Sequence, residues 1–326
     1  MHASETDAAD RPARRRMKVG LSLPAIEGLM AGQTASYADL LAFAKLAEDV
    51  GFDSLWMCDH LMFRLAGRED QPVDMWEGWT VLAALAASTS RIELGPLVSC
   101  VSYRNPALTA KMACTIDEIS NGRFILGLGA GWHEPEYHAY GYPFDHRGSR
   151  FVEAFEIIRG LLRDGHVDFD GEYHQAREIE VNLAGPRPGR IPMMIGSRGA
   201  RVLATTLPHV DGWNGDWTSR PGVIPPMRAQ VDAACLAAGR DPATLERSVG
   251  VMIDLPGKDP RINGRASVQG ATEPSTKPDP PATGSIEELA ELLRAYEREG
   301  IDHVMVWLDP STLAGVEEFG RVLELL

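Results

Sequence analysis

Cysteine is scarce and scattered in this chain. Cys58, Cys100, Cys114 and Cys235 are the four in 326 residues, and no two stand in C-x-x-C spacing. That argues against a disulfide framework or a zinc site and fits the reduced thiols of a cytoplasmic protein. Long apolar runs are missing as well; none approaches the ~18 residues of a membrane span. Positive charge is in deficit, with 32 Lys and Arg against 46 Asp and Glu. The resulting net charge of −14 argues against general affinity for nucleic acid or an anionic membrane. Residues 1–16 are polar and end in Arg14-Arg15-Arg16, and the apolar run Met17 to Pro24 is too short for a signal h-region. The leader is therefore expected to be a disordered tail, with Met17 a candidate start.

What is present is a regular alternation of strand and helix patterns. Lys18 to Leu23 reads as a strand closed by Pro24. Ser36-Tyr37-Ala38-Asp39 resembles a capping box, opening a helix with Leu40, Phe43, Ala44, Ala47 and Val50 on one face and Gly51 as its stop. Phe52 to Met57 reads as a strand that ends at Asp59-His60, followed by a long loop from Leu61 to Met75 and a helix from Trp76 to Ala87. Ile92 to Cys100 forms a strand with a bulge or bend expected at Gly95-Pro96. Asn105-Pro106 caps a helix running to Ser120. Strand Arg123 to Leu128, a helix over Phe151 to Leu162 and a hairpin turning at Asp170-Gly171 follow. Strands Ile191 to Ile195, Val210 to Asn214, Val249 to Asp254 and His303 to Leu308 then alternate with helices Ala200 to Leu207, Val223 to Ala238 and Ser285 to Glu299. A helix over Leu313 to Leu326 ends the chain. Eight β-then-α units leave an open doubly wound sheet or a closed barrel, and their number favours an α/β (β/α)8 TIM barrel in one domain over 17–326. Residues 255–281, rich in Pro, Gly, Ser and Thr, form an expected flexible insertion. They follow strand seven and so emerge on the face where a lid or a neutral insertion would sit.

In such a barrel, polar residues at the carboxyl ends of strands face the ligand-binding mouth. His60, with Asp59 beside it, is thereby the first candidate for chemistry, although a lone histidine is more often a satisfied structural group. Gly127-Leu128-Gly129-Ala130-Gly131-Trp132 lacks the last glycine and the helix that a dinucleotide fingerprint requires. Its glycines are read instead as room for a flat ring near the backbone. In His133-Glu134-Pro135-Glu136-Tyr137-His138 the histidines are five apart with an intervening proline, so no zinc motif and no metal is expected. Gly196-Ser197-Arg198-Gly199, between a strand and a helix, suits a phosphate. Arg147, Arg150 and Arg201 are candidates to extend that anionic grip.

Taken together, several stretches resemble one family. They are Gly51-Phe52-Asp53-Ser54-Leu55-Trp56 with Asp59-His60, Trp76-Glu77-Gly78-Trp79-Thr80, Arg91 to Val98, Arg104-Asn105-Pro106-Ala107-Leu108, Gly122-Arg123-Phe124 with Gly127 to Trp132, Ile195 to Gly199, Asp211-Gly212-Trp213-Asn214 and Asp302 to Trp307. The chain resembles the luciferase-like monooxygenase superfamily, most closely its F420-dependent oxidoreductases, from Met17 to about Leu326 except the insertion. The resemblance implies a luciferase-like barrel that binds F420 or a flavin at the strands' carboxyl ends, with insertion loops on that face. It places His60 near the reactive deazaflavin carbon, and a non-proline cis peptide behind the ring somewhere within Leu97, Val98, Ser99 and Cys100. Gly129, Gly131 and Trp132 would line the ring site, and Gly196, Ser197, Arg198 and Gly199 the phosphate site. Ser197-Arg198 departs from the small residues usual there and adds charge that suits an anionic tail. Trp132 stands where the sugar-phosphate dehydrogenase branch carries a glutamate, which makes glucose-6-phosphate a poor substrate expectation.

The function this implies is hydride transfer between F420 and a small organic substrate, with His60 assisting proton transfer. The alternative is an FMN-dependent monooxygenase using dioxygen and a partner flavin reductase. A non-catalytic barrel that sequesters a ligand is a third reading. A homodimer is compatible with the resemblance, and no segment of the sequence declares an interface.

Overall fold

The computed structural model describes residues 15–65, 68–183, 185–255 and 280–326. Strand β1 (Lys18–Ser22) leads into helix α1 (Tyr37–Val50). Ser36 and Asp39 close a reciprocal capping box at the start of α1, and Gly51 ends it with a left-handed φ of 96°. Then come β2 (Ser54–Met57), a hairpin of β3 (Met62–Leu65) and β4 (Arg68–Asp74), α2 (Gly78–Ser88), β5 (Glu93–Pro96) and β6 (Ser99–Cys100). The hairpin replaces the loop expected from Leu61 to Met75. It is hidden from a sequence reading because the second strand opens on Arg68-Glu69-Asp70-Gln71-Pro72, which carries no apolar alternation.

Helix α3 (Pro106–Ile119) starts at Asn105, whose side chain accepts from the amides of Ala107 and Leu108. It is followed by β7 (Leu126–Gly129), α4 (Glu134–Tyr140), α5 (Arg147–Arg163), the β8 (His166–Asp170) and β9 (Gln175–Glu180) hairpin, β10 (Met193–Ile195) and α6 (Ala200–Thr206). The chain continues through β11 (Gly212–Trp217), α7 (Ile224–Ala237), β12 (Glu246–Asp254), β13 (Ala282–Thr283), α8 (Ile286–Arg298), β14 (His303–Asp309) and α9 (Leu313–Glu324). Helix α4 is an element that the sequence reading left out; seven residues with a proline in the first turn give little periodicity.

The parallel strands are ordered β5-β2-β1-β14-β12-β11-β10-β7-β6. β5 and β6 are two halves of one strand, interrupted by a cis Leu97–Val98 peptide bond, so the path returns to its start. β6 pairs with β7, and Leu94 bridges Phe124. The result is a (β/α)8 barrel. Alternation along the strands sorts the core into two parts. On β14, Val304, Val306 and Leu308 join the large cluster between barrel and helices. Met305 instead joins Trp56, Ile125 and Met194 inside the barrel. Trp307 sits one layer higher with Phe63, Ile26 and Leu29, where the β3–β4 hairpin covers the barrel.

At the other end, Arg15 donates to the Asp53 carboxylate at 2.9 Å and to the Gly51 carbonyl, anchoring the end of the leader to the barrel floor. Residues 1–14, and positions 256–279 of the flexible insertion expected over 255–281, lie outside the described residues. Among the described residues no helix is long and apolar enough to cross a membrane.

Candidate active site

His60 lies just beyond the carboxyl end of β2, at the mouth. Its Nδ1 is 2.9 Å from Oε2 of Glu136, which projects inward from α4. The imidazole keeps 18% of its side chain exposed, whereas the Glu136 side chain is fully buried. The hydroxyl of Tyr103 donates to the same Oε2 at 2.6 Å, and the backbone amides of Leu61 and Met62 donate to Oε1. Burial pushes the Glu136 carboxyl up. The hydrogen bonds from His60, the Leu61 amide and Tyr103 outweigh it and hold the group below the usual glutamate value.

Aromatic rings frame the imidazole. Phe63 lies 4.4 Å away between centroids, and Trp132 meets it edge-on at 5.2 Å with 38% of its own residue surface exposed. Behind them His133 is buried, and its Nε2 accepts the Arg64 amide at 2.9 Å. Burial, helped by the Arg64 charge and opposed by the Glu136 carboxylate, lowers the His133 imidazole below its ordinary value. Helix α4 and the residue before it therefore fasten the root of the β3–β4 hairpin at three backbone amides. In the stretch read against a metal motif, His133 is buried while His138 lies on the surface beside Glu134.

Asp59, expected beside His60 in the chemistry, is 3% exposed and has both oxygens filled. Ser99 Oγ and the Cys100 amide each donate at 2.9 Å, and Arg104 forks across both oxygens at 2.7 and 2.9 Å. Burial raises the proton affinity of this carboxyl against the Arg104 charge and those hydrogen bonds. Its position is that of an anchor, fixing β6 directly after the cis bond and holding Arg104, which also reaches Glu77. Burial pushes the Cys58 and Cys100 thiols up to about 12, so neither is a ready nucleophile.

The cis bond falls within the expected Leu97 to Cys100. Leu97 and Val98 stay partly exposed at the mouth, whereas Ser99 and Cys100 are buried. The neighbouring glycines have an internal reason for lacking a side chain. A Cβ on Gly129 would stand 2.5 Å from Val98 Cγ2, and one on Gly196 would stand 3.0 Å from it. Gly131, at φ +73°, lies under the Tyr137 hydroxyl, which donates to the Ala130 carbonyl. These three glycines leave room for Val98 and Tyr137 within the fold, a packing reason for glycine that stands beside the expected place of Gly129 and Gly131 near a ring. Gly199 differs, since a Cβ there would meet only Ser197 Oγ at 3.6 Å.

Around that open turn the charge is positive. Arg201 Nη1 donates to Ser149 Oγ at 2.8 Å, tying α6 to the first turn of α5, where Arg147 and Arg150 lie. Arg198 pairs with Asp216 at 3.3 Å and Arg150 with Asp145 at 3.1 Å. Among the described residues Arg147 and Arg201 have no carboxylate partner. Two clefts lie at the barrel floor, lined by residues that include Arg123 and Arg240. Those arginines are committed to backbone carbonyls, including Ile92 and Ala86 for Arg123 and Leu207 for Arg240. The floor clefts are thus part of the scaffold.

Sequence reasoning missed Glu136, Tyr103 and the part played by Arg104. Glu136 stood in view inside the rejected metal motif, but its partner is 76 residues away in the chain, and no local spacing announces that pairing.

Comparison with known proteins adds a family to this geometry. The luciferase-like monooxygenase family model matches residues 17–254. The 5,10-methylenetetrahydromethanopterin reductase of Archaeoglobus fulgidus is 34% identical over 204 residues, covering 63% of this chain and 56% of that protein. The pyrimidine monooxygenase RutA of Cronobacter sakazakii is 36% identical over 175 residues, covering 51% of this chain and 50% of its own length. The matched region thus spans about half the length of these relatives. Among solved structures, an F420-dependent secondary alcohol dehydrogenase in complex with an F420-acetone adduct superimposes with a TM-score of 0.78 at 19% identity. It covers 94% of this chain and 98% of that one, a likeness of fold.

Proposed function

This chain belongs to the luciferase-like monooxygenase family, and on that premise we propose that it is an F420-dependent oxidoreductase. It would move a hydride between F420 and a small organic substrate, with His60 managing the accompanying proton. A bound deazaflavin supplies a two-electron hydride step and reacts poorly with oxygen. Leu97 and Val98 would back its ring, with Trp132 and Phe63 as an aromatic wall that excludes water. His60 would take or return a proton at Nε2. Ser197, Arg198 and the Gly199 amide, with Arg147, Arg150 and Arg201, would hold the anionic tail.

The observation that carries the choice of F420 is this arginine group, in which Arg147 and Arg201 have no carboxylate partner among the described residues. A single phosphate, as on FMN, needs fewer cations than a phosphodiester followed by an oligoglutamate tail. The methylenetetrahydromethanopterin reductase relative and the F420-dependent structural neighbour support the same reading. A second reading, an FMN-dependent monooxygenase that uses dioxygen with a separate flavin reductase, is favoured by the relative named as a pyrimidine monooxygenase.

Titration of the purified protein with F420 and, separately, with FMN, followed by tryptophan fluorescence, tests the proposal. Tight F420 binding with weak FMN binding is the expected result. The reverse would move the chain to the oxygen-using branch, and binding of neither would remove the site assignment.

A further inference from the structure

Three donors of fixed direction reach the Glu136 carboxylate, the Tyr103 hydroxyl at 2.6 Å and the amides of Leu61 and Met62, and His60 Nδ1 lies 2.9 Å from Oε2 as its fourth contact. Four is the full acceptor capacity of an ionised carboxylate, and such a group has no proton to give. The two amides are obligate donors. Burial pushes the Tyr103 hydroxyl well above its ordinary value, so it too keeps its proton. The proton in the His60–Glu136 hydrogen bond must therefore sit on Nδ1. Among the described residues no hydrogen bond reaches Nε2, and that atom is not among the buried polar atoms left without a partner.

We propose that Glu136 is a positioning residue that fixes the neutral His60 imidazole as its Nδ1–H tautomer. Nε2 is thereby presented as a lone pair at the barrel mouth, poised to accept a proton. The carboxylate of a hydrolase triad acts in the same way on its histidine, and replacing it there with an amide leaves the geometry intact but costs about 10⁴ in rate through the wrong tautomer. This inference rests on the proposed role of His60 for its consequence, but its physical content, the place of one proton, holds without cofactor.

The test is the tautomer of His60 read from its ring ¹⁵N shifts in the full chain without cofactor, at a pH where the ring is neutral. The signal is assigned with His60→Gln. In the wild-type protein Nδ1 should carry the proton, and a proton on Nε2 would overturn the proposal without recourse to any variant. In Glu136→Gln the carbonyl can still accept the Leu61 and Met62 amides, which leaves the NH₂ group facing the ring. The tautomer should then reverse, while F420 affinity stays within about threefold of wild type. A folded Glu136→Gln that keeps Nδ1–H would contradict the proposal. Tyr103→Phe removes a neighbouring donor from the same oxygen and should leave the tautomer unchanged; reversal there would trace the effect to a loosened pocket and overturn the assignment to the carboxylate. Failure of the wild-type protein to bind F420 would defeat the functional reading and leave the tautomer result standing.

Discussion

A histidine paired with a glutamate occurs at each end of this barrel, and the two pairs are inverted in what they bury. At the mouth the Glu136 side chain is fully covered, while 18% of the His60 side chain remains exposed. At the floor the His303 side chain is fully covered and Glu246 is 40% exposed. On the proposed function, the inversion separates chemistry from architecture. His303 uses both ring nitrogens internally, with Nε2 at 2.8 Å from Ser54 Oγ and Nδ1 at 3.4 Å from Glu246. Ser54 in turn accepts the indole N–H of Trp56 at 2.7 Å, and Lys18 connects Glu246 to Glu93. On paper a serine, a histidine and a glutamate in line resemble a nucleophilic triad. Here the serine is fully buried under Trp56 and no substrate can reach it, so the trio holds the barrel's lowest layer together. At the mouth one ring nitrogen is held and the other is open.

The comparison can be broken from either side. The largest loss is expected at the mouth's own support. Asp59→Ala takes the shared acceptor from Ser99, the Cys100 amide and Arg104 at a buried position, and breaking a pair of this kind by removing one partner costs about 3–5 kcal/mol. Chemical denaturation should show that loss, together with a loosened β6 seen as faster amide exchange at Cys100. Next comes the floor. His303→Ala leaves a cavity and strands the Ser54 hydroxyl, at a cost of about 2–4 kcal/mol. F420 affinity should remain near wild type, since the change lies at the opposite end of the strands.

The smallest effect concerns pH. His133 is held below its ordinary imidazole value of 6.5 by burial, so the folded protein prefers it neutral. Its contribution is complete above about pH 6.5 and is lost as pH falls through the lowered folded value. Glu136, also lowered, adds a second loss beginning below its ordinary value of 4.5. Thermal melts should accordingly fall in two stages on acidification, and His133→Gln should shrink the first stage, to which His174 and His209, also lowered by burial, contribute, without changing the second.

Much of the scaffold was legible in the chain because its signals are local. The Ser36–Asp39 box, Asn105-Pro106 and Gly51 punctuate helices by chemistry confined to a few residues. Pro96 marks the interrupted strand, with the cis bond falling within the four residues expected for it. The place of His60 at a strand's end was legible as well, because a polar residue ending an apolar strand is itself a local pattern. What escaped depends on distance in sequence. Glu136 meets His60 only because α4 folds back beneath the β3–β4 hairpin, and Arg104 meets Asp59 across two elements. Gly129 and Gly131 show a further limit of local reading. Val98 and Tyr137 would both clash with a side chain at those positions, and no local pattern identifies either neighbour.

The central claim is that the open pair works and the closed pair only holds. Measuring F420-dependent turnover and thermal midpoint side by side for His60→Ala and His303→Ala tests it most directly. The account predicts that His60→Ala lowers turnover by about 10²-fold or more, with F420 binding and melting close to wild type. His303→Ala should lower the melting temperature while turnover, measured below that temperature, is retained. Turnover that survives in His60→Ala, or is lost in a folded His303→Ala, would contradict it.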